Sequence, residues 1–300
     1  MKFHLSLATT LLLATEGLSI RTCGSNHPPA ELIEKAILFR AMSKFKPGPN
    51  SKPVEEDPVP RKQVVPLHIH NVFINATRDQ GYITHEDVQN QFKVLNDNFL
   101  STGVSFDLKT VTHTEDKAWA MASRGSTAEI NMKKALRRGG YADLNIYIRP
   151  LRSGLLGYCT FPEDIVKGSD KFFLDGCDVL FSSVPGGSTT YYDEGKTATH
   201  EVGHWFGLFH TFQGGCSGGD LVDDTPAEGS PTNGCPIGKD TCKGDMYPGL
   251  DPIHNYMDYS YDACMNEFTD GQRVRLYQMW DQYRVHHGST NRTVARTSMH

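Results

Sequence analysis

His200-Glu201-Val202-Gly203-His204-Trp205-Phe206-Gly207-Leu208-Phe209-His210 is the stretch on which the reading of this chain turns. It spells H-E-x-x-H-x-x-G-x-x-H. On an α-helix His200 and His204 lie one turn apart, so their imidazoles point the same way. Gly207 lets the backbone leave the helix at an angle that side chains resist, and the turn returns His210 as a third nitrogen. Three protein ligands leave one corner of a Zn²⁺ tetrahedron open, which is the pattern of a reactive rather than a structural metal. Glu201, beside the first ligand, is placed to take a proton from water held there. Among thirteen histidines a bare H-x-x-x-H would mean little, but the complete pattern is specific.

Working outward, a hydrophobic share of 38% and a charged share of 22% suit an ordinary globular domain with a sizeable core. The net charge of −5 is spread along the chain with no basic stripe, which argues against a nucleic-acid partner. Residues 1–19 read as a secretory signal. Lys2 gives the positive end, Leu5 to Ala14 the apolar stretch, and Gly17 and Ser19 the small residues for cleavage after Ser19. That stretch is too short to span a bilayer and no other apolar run is long enough, so no membrane partner is expected. Seven cysteines, and the sequons at Asn75 and Asn291 as glycosylation sites, fit the same secreted, extracellular setting.

Residues 20–62 read as a pro-segment and Pro-rich linker: a helical stretch from Ala30 to Phe45, then five prolines between Lys46 and Arg61. The compact domain is expected over 63–288, with a tail at 289–300. Val64 to Ile74 reads as a strand. Thr84 to Leu100 reads as a helix capped by Thr84 and Asp87, with Ile83 stapled on Val88. Val104–Leu108 and Leu144–Ile148 alternate like half-buried strands, Val179–Phe181 is a short one, and Ser126 with Glu129 opens a helix ending at Gly139-Gly140. This alternation predicts an α/β sandwich with a mixed, mostly parallel sheet. After His210 the pattern stops: residues 211–253 hold nine glycines and no periodicity. Cys216, Cys235, Cys242 and Cys264 then permit three connectivities. Thr269 and Gln272 open a last helix reaching about Tyr283. Asp220, Asp223, Asp224 and Thr225 offer hard oxygens that suit Ca²⁺, or else form a solvated acidic turn.

Downstream, Asn255-Tyr256-Met257-Asp258-Tyr259 places a methionine 47 residues after His210. A long zinc motif paired with a methionine turn resembles the metzincins. With His200–Phe212 and Val222-Asp223-Asp224-Thr225-Pro226, the chain resembles the pappalysin family, and within it the fungal secreted metalloproteinases. The resemblance covers roughly residues 64 to 285. It implies an α/β (α+β) metzincin-like catalytic domain: a twisted mixed sheet with helices, the zinc helix at the cleft, and an irregular disulfide-linked C-terminal subdomain. It implies a zinc-dependent endopeptidase acting on proteins or peptides, expected to be a monomer, with calcium near the acidic loop. His200, His204 and His210 would ligate zinc, Glu201 would be the general base and Met257 the floor. Tyr259 would steady the oxyanion, though a buried tyrosine bonded to backbone is an equal reading. Relatives pair such cysteines in an interleaved way, implying Cys216–Cys242 and Cys235–Cys264 and leaving Cys159 with Cys177.

Cys23 is then the odd one. Arg21-Thr22-Cys23-Gly24 is similar to latency segments whose thiolate fills zinc's open corner, which would make the chain a zymogen. An incidental free cysteine, or an extra disulfide to the mature domain, is the other reading. Two functional classes stand at this stage: the endopeptidase, and an inactive zinc-containing extracellular binding protein. An intact Glu201 speaks against the second.

Overall fold

The computed structural model describes residues 21–25, 27–44, 61–244, 246 and 248–285. The expected signal segment and the sequon at Asn291 lie outside them, as does most of the Pro-rich linker. Helix α1 spans Ala30–Lys44, and then β1 (Gln63–Phe73), α2 (His85–Phe99) and β2 (Val104–Glu115) follow. Next come α3 (Lys117–Ala120), α4 (Thr127–Leu136), β3 (Leu144–Arg149), β4 (Gly157–Cys159), α5 (Asp170–Leu174) and β5 (Cys177–Leu180). Helix α6 (Lys196–Trp205) carries the histidine motif, and α7 (Asp270–Met279) runs into a π-helical turn, Trp280–Arg284.

The five strands form one sheet in the order β2-β1-β3-β5-β4. All neighbours pair parallel except β4, which runs antiparallel to β5 at the edge. The sequence reading missed β4, because three residues cannot display an alternation. It also stopped β2 at Leu108, whereas pairing with β1 continues to Glu115 through the β-branched run Thr110, Val111, Thr112 and Thr114. Every residue of β3 is buried, so its polar positions are core rather than solvent face: Asn145 bonds His70 Nε2 at 3.1 Å, and the Arg149 guanidinium meets Asp178 at 2.6 Å. The α4 helix ends at Leu136, not at Gly139, because Arg137 turns to extended backbone and spends its guanidinium on Asp175.

Helix starts follow their caps. Thr84 Oγ1 accepts from Asp87 N, Asp87 answers on Thr84 N, and Thr269 with Gln272 repeats the arrangement before α7. Each such cap is worth about 1 kcal/mol. The α2 helix buries Val88, Leu95 and Phe99 against β2 and the motif helix, at roughly 1.5–3 kcal/mol per side chain. Helix α1 is docked rather than free: Leu32 and Ala36 are buried with Phe161, Phe172, Phe209 and Met279, and Arg40 pairs with Asp223 at 2.5 Å.

Between His210 and α7 the described residues form only short 3-10 turns and one isolated bridge, Asn255 to Glu267. Disulfides join Cys216 to Cys242 and Cys235 to Cys264 across this segment, and Cys159 to Cys177 ties β4 to β5.

Candidate active site

Helix α6 presents Ala198, Val202 and Trp205 to the core and turns His200 and His204 toward the cleft. Its exit is built by Gly207, whose φ of +88° permits two closing bonds, Gly207 N to His204 O at 2.8 Å and Leu208 N to Gly203 O at 3.0 Å. That turn delivers His210 and aims Leu208 O at His204 Nδ1, 2.8 Å away. His200 Nδ1 likewise donates to Tyr256 O at 2.7 Å, and Gln213 engages His210.

With their Nδ1 protons committed to carbonyls, His200 and His204 turn Nε2 lone pairs inward. His204 Nε2 lies 3.2 Å from His200 Nε2 and 3.0 Å from His210 Nε2. Lone pairs facing one another at such distances call for a shared cation. A tetrahedral zinc with bonds of 2.0–2.1 Å has ligand–ligand edges of about 3.3 Å, so the donor set fits. Burial pushes all three imidazoles down, His204 to about 4, which keeps them neutral and ready to ligate. Cys23 Sγ completes the cluster: the four ligand atoms lie within 4.8 Å of one another. No other cluster of three or more metal-capable side chains occurs among the described residues.

Glu201 is buried beside the cluster, and that burial pushes its carboxyl up to about 8. Its Oε2 is 3.4 Å from both Cys23 Sγ and Ser25 Oγ. Burial and the Glu201 charge together push the Cys23 thiol up. Met257 packs under α6 at Gly203, where an added Cβ would lie 2.3 Å from Met257 Sδ. Tyr259 stands edge-on to His210, ring centres 5.0 Å apart, and its hydroxyl accepts from Cys23 N at 3.3 Å.

Residues 21–25 run along the cleft edge of the sheet. Leu156 N donates to Thr22 O at 2.9 Å and Gly24 N to Gly157 O at 2.8 Å; Ser25 Oγ both donates to Cys159 O and accepts from Cys159 N. Arg21 is buried against Asp262 at 2.6 Å, its backbone N on the Tyr192 hydroxyl and its guanidinium over the Tyr192 ring. Ser25, Tyr192 and Asp262 were not singled out from sequence. Arg21 and Asp262 stand 241 positions apart and no local pattern joins them.

The acidic loop is drawn toward separate partners. Asp223 pairs with Arg40 and Lys44, Asp224 accepts from Thr269 Oγ1 and Gly271 N, and buried Asp220 accepts from Val222 N. Asn75 is exposed in a turn, its Oδ1 accepting from Thr77 Oγ1 at 2.7 Å.

A buried three-histidine set on a glycine-terminated helix, over a methionine turn and beneath a parallel sheet with one antiparallel edge strand, defines a metzincin metallopeptidase. The family model described as pregnancy-associated plasma protein-A, of peptidase family M43, matches residues 173–281. Over 279 residues the chain is 48% identical to an extracellular metalloprotease 1 of Coccidioides posadasii, covering 92% of this chain and 95% of the relative. An extracellular metalloprotease of Verticillium alfalfae is 47% identical over 286 residues, 95% and 99% of the two lengths. Among solved structures, mature mirolysin of Tannerella forsythia with a cleaved peptide aligns at a TM-score of 0.60 and 30% identity, covering 74% of this chain and 93% of that one. A promirolysin mutant aligns at 0.62 and 28% identity, covering 87% and 94%. The chain belongs to the pappalysin family of metalloendopeptidases.

Proposed function

We propose that the protein is a secreted zinc endopeptidase in which His200, His204 and His210 hold the metal and Glu201 moves the proton. The converging Nε2 lone pairs carry this reading. Zinc, when bound, supplies Lewis-acid polarisation of the scissile carbonyl and the attacking water. Glu201 takes the water's proton and passes it to the leaving amine, a shuttle that a carboxyl with proton affinity near neutrality suits. The Tyr259 phenol donates to the carbonyl oxygen as charge develops there, once the Cys23 amide no longer holds it. Met257 keeps α6 at its height. An extended peptide would bond the β4 edge that residues 22–25 cover here. The names of the relatives favour an extracellular site of action.

Residues 20–62 act in this reading as a latency segment. Cys23 supplies the fourth ligand, and the Arg21–Asp262 pair and the docked α1 hold it there. The promirolysin likeness, which reaches over 87% of the chain against 74% for the mature enzyme, favours it. Residues 63–288 would then be the active domain, working as a monomer, with the sequons at Asn75 and Asn291 glycosylated. Calcium at Asp220–Thr225 would have to displace the Arg40, Thr269 and Gly271 contacts; a calcium-dependent rise in Tm is its test.

The direct test of the metal reading is zinc content and casein hydrolysis of the secreted protein. Near-stoichiometric zinc, with activity abolished by a chelator and restored by zinc, is expected. A zinc-loaded, processed protein that hydrolyses nothing would favour the binding-protein alternative. Cys23→Ser should be active without processing, and an unprocessed Cys23→Ser as inert as its parent would remove Cys23 from the scheme.

A further inference from the structure

The irregular segment after His210 contains a buried charged group that the reaction described above does not use. Glu228 is completely buried in a stretch without helix or strand. Its Oε2 accepts from Thr211 Oγ1 at 2.6 Å, and its Oε1 accepts from Thr232 Oγ1 at 2.8 Å and Lys239 Nζ at 2.7 Å. The Lys239 ammonium also reaches Ser230 O at 2.7 Å, Thr232 Oγ1 at 2.9 Å and Asp251 Oδ2 at 3.1 Å. It is thus surrounded by oxygens much as a bound cation would be.

Both ends of this network touch backbone next to the reacting groups. Thr211 follows His210, and its N–H donates to Met257 O at 3.3 Å. Thr232 N donates to the buried Asp258 Oδ1 at 3.0 Å, and the same oxygen accepts from Tyr259 N at 2.7 Å. Asp258 sits between Met257 and Tyr259, so one ammonium–carboxylate pair ties the third histidine's backbone to the tyrosine's. No regular element does this job here.

We propose that Lys239 and Glu228 are positioning residues for the hydrolytic reaction, an internal cation and its carboxylate that fix His210 and Tyr259 relative to each other. The inference rests on the metal reading above. Removing Lys239 leaves Glu228 as an uncompensated buried charge, which must take up a proton or move toward water. Either outcome loosens Thr211, and with it the histidine one residue earlier. Partners that orient metal-ligating groups in this indirect way typically matter by about 10–100-fold in metal affinity or activity.

The experiment compares parent, Lys239→Met and Thr211→Val in the secreted, processed enzyme, each well below its Tm. It measures zinc transfer to a chromogenic chelator, kcat and KM. Zinc release about 10–100-fold faster in Lys239→Met, kcat lowered to match and KM little changed are expected. Thr211→Val should shift both in the same direction, and Thr211→Ser, which keeps the hydroxyl, should restore them. Asp97→Asn, which breaks the exposed Lys93–Asp97 pair on α2, should leave zinc release at the parent's rate. Parental zinc release and kcat in folded Lys239→Met and Thr211→Val would overturn the proposal. If Lys239→Met does not fold, parental behaviour of Thr211→Val alone overturns it. A parent that binds no zinc would instead overturn the metal reading, and this inference with it.

Discussion

The two halves of the domain hold the same cleft by different means. From Gln63 to Trp205 the chain is regular: a mostly parallel sheet, capped helices and a continuous apolar core position His200, His204 and Glu201. From Thr211 to Thr269 it is irregular, and disulfides with buried charged groups position Met257 and Tyr259. Regular structure satisfies backbone groups automatically and leaves side chains for packing. An irregular segment must satisfy its backbone with side chains, which explains why Asp251 and Asp258 are buried there, accepting from Thr241 N and from Thr232 N and Tyr259 N. The lesson is that precision at the cleft does not require secondary structure, provided that cross-links and saturated polar groups replace it.

The contrast can be broken most strongly at the cross-links. Cys235→Ser with Cys264→Ser opens a loop whose ends stand 29 positions apart. The chain-entropy model puts the loss at about 3–4 kcal/mol. Chemical denaturation should show it, and limited proteolysis should cut first within 211–253 while the sheet persists. Equal protection of both halves would mean that the sheet, not the cross-link, organises the segment.

At the seam, Gly203→Ala pushes a methyl group into Met257. Overpacking of this kind costs roughly 1–3 kcal/mol, and zinc retention should fall together with Tm. Unchanged zinc release would detach the methionine floor from the metal site. Thr84→Ala, far from the seam, should lower stability by about 1 kcal/mol and leave kcat alone. A fall in kcat with no fall in Tm would contradict the division of labour between the halves.

How much of this was legible followed the same divide. The capped helices α2 and α7 could be read because caps and apolar spacing are local, and α6 because its histidines recur at a fixed helical interval. Strand β4 could not: it is three residues long, and its place at the cleft edge depends on pairing with β5. The Arg21–Asp262 pair and the docking of α1 are contacts between distant positions, invisible to any window. Glu228 and Lys239 look in sequence like ordinary solvated charges in a glycine-rich loop. Only the closed chain shows that they face inward.

The central claim is that a buried carboxylate one residue after the first histidine moves the proton. The measurement that tests it most directly is casein hydrolysis by processed Glu201→Ala, compared with the parent at matched zinc content. General acid–base groups contribute about 10²–10⁴-fold, so activity should drop by at least the lower figure while zinc stays bound. A zinc-loaded Glu201→Ala enzyme cleaving casein at the parent's rate would contradict the account.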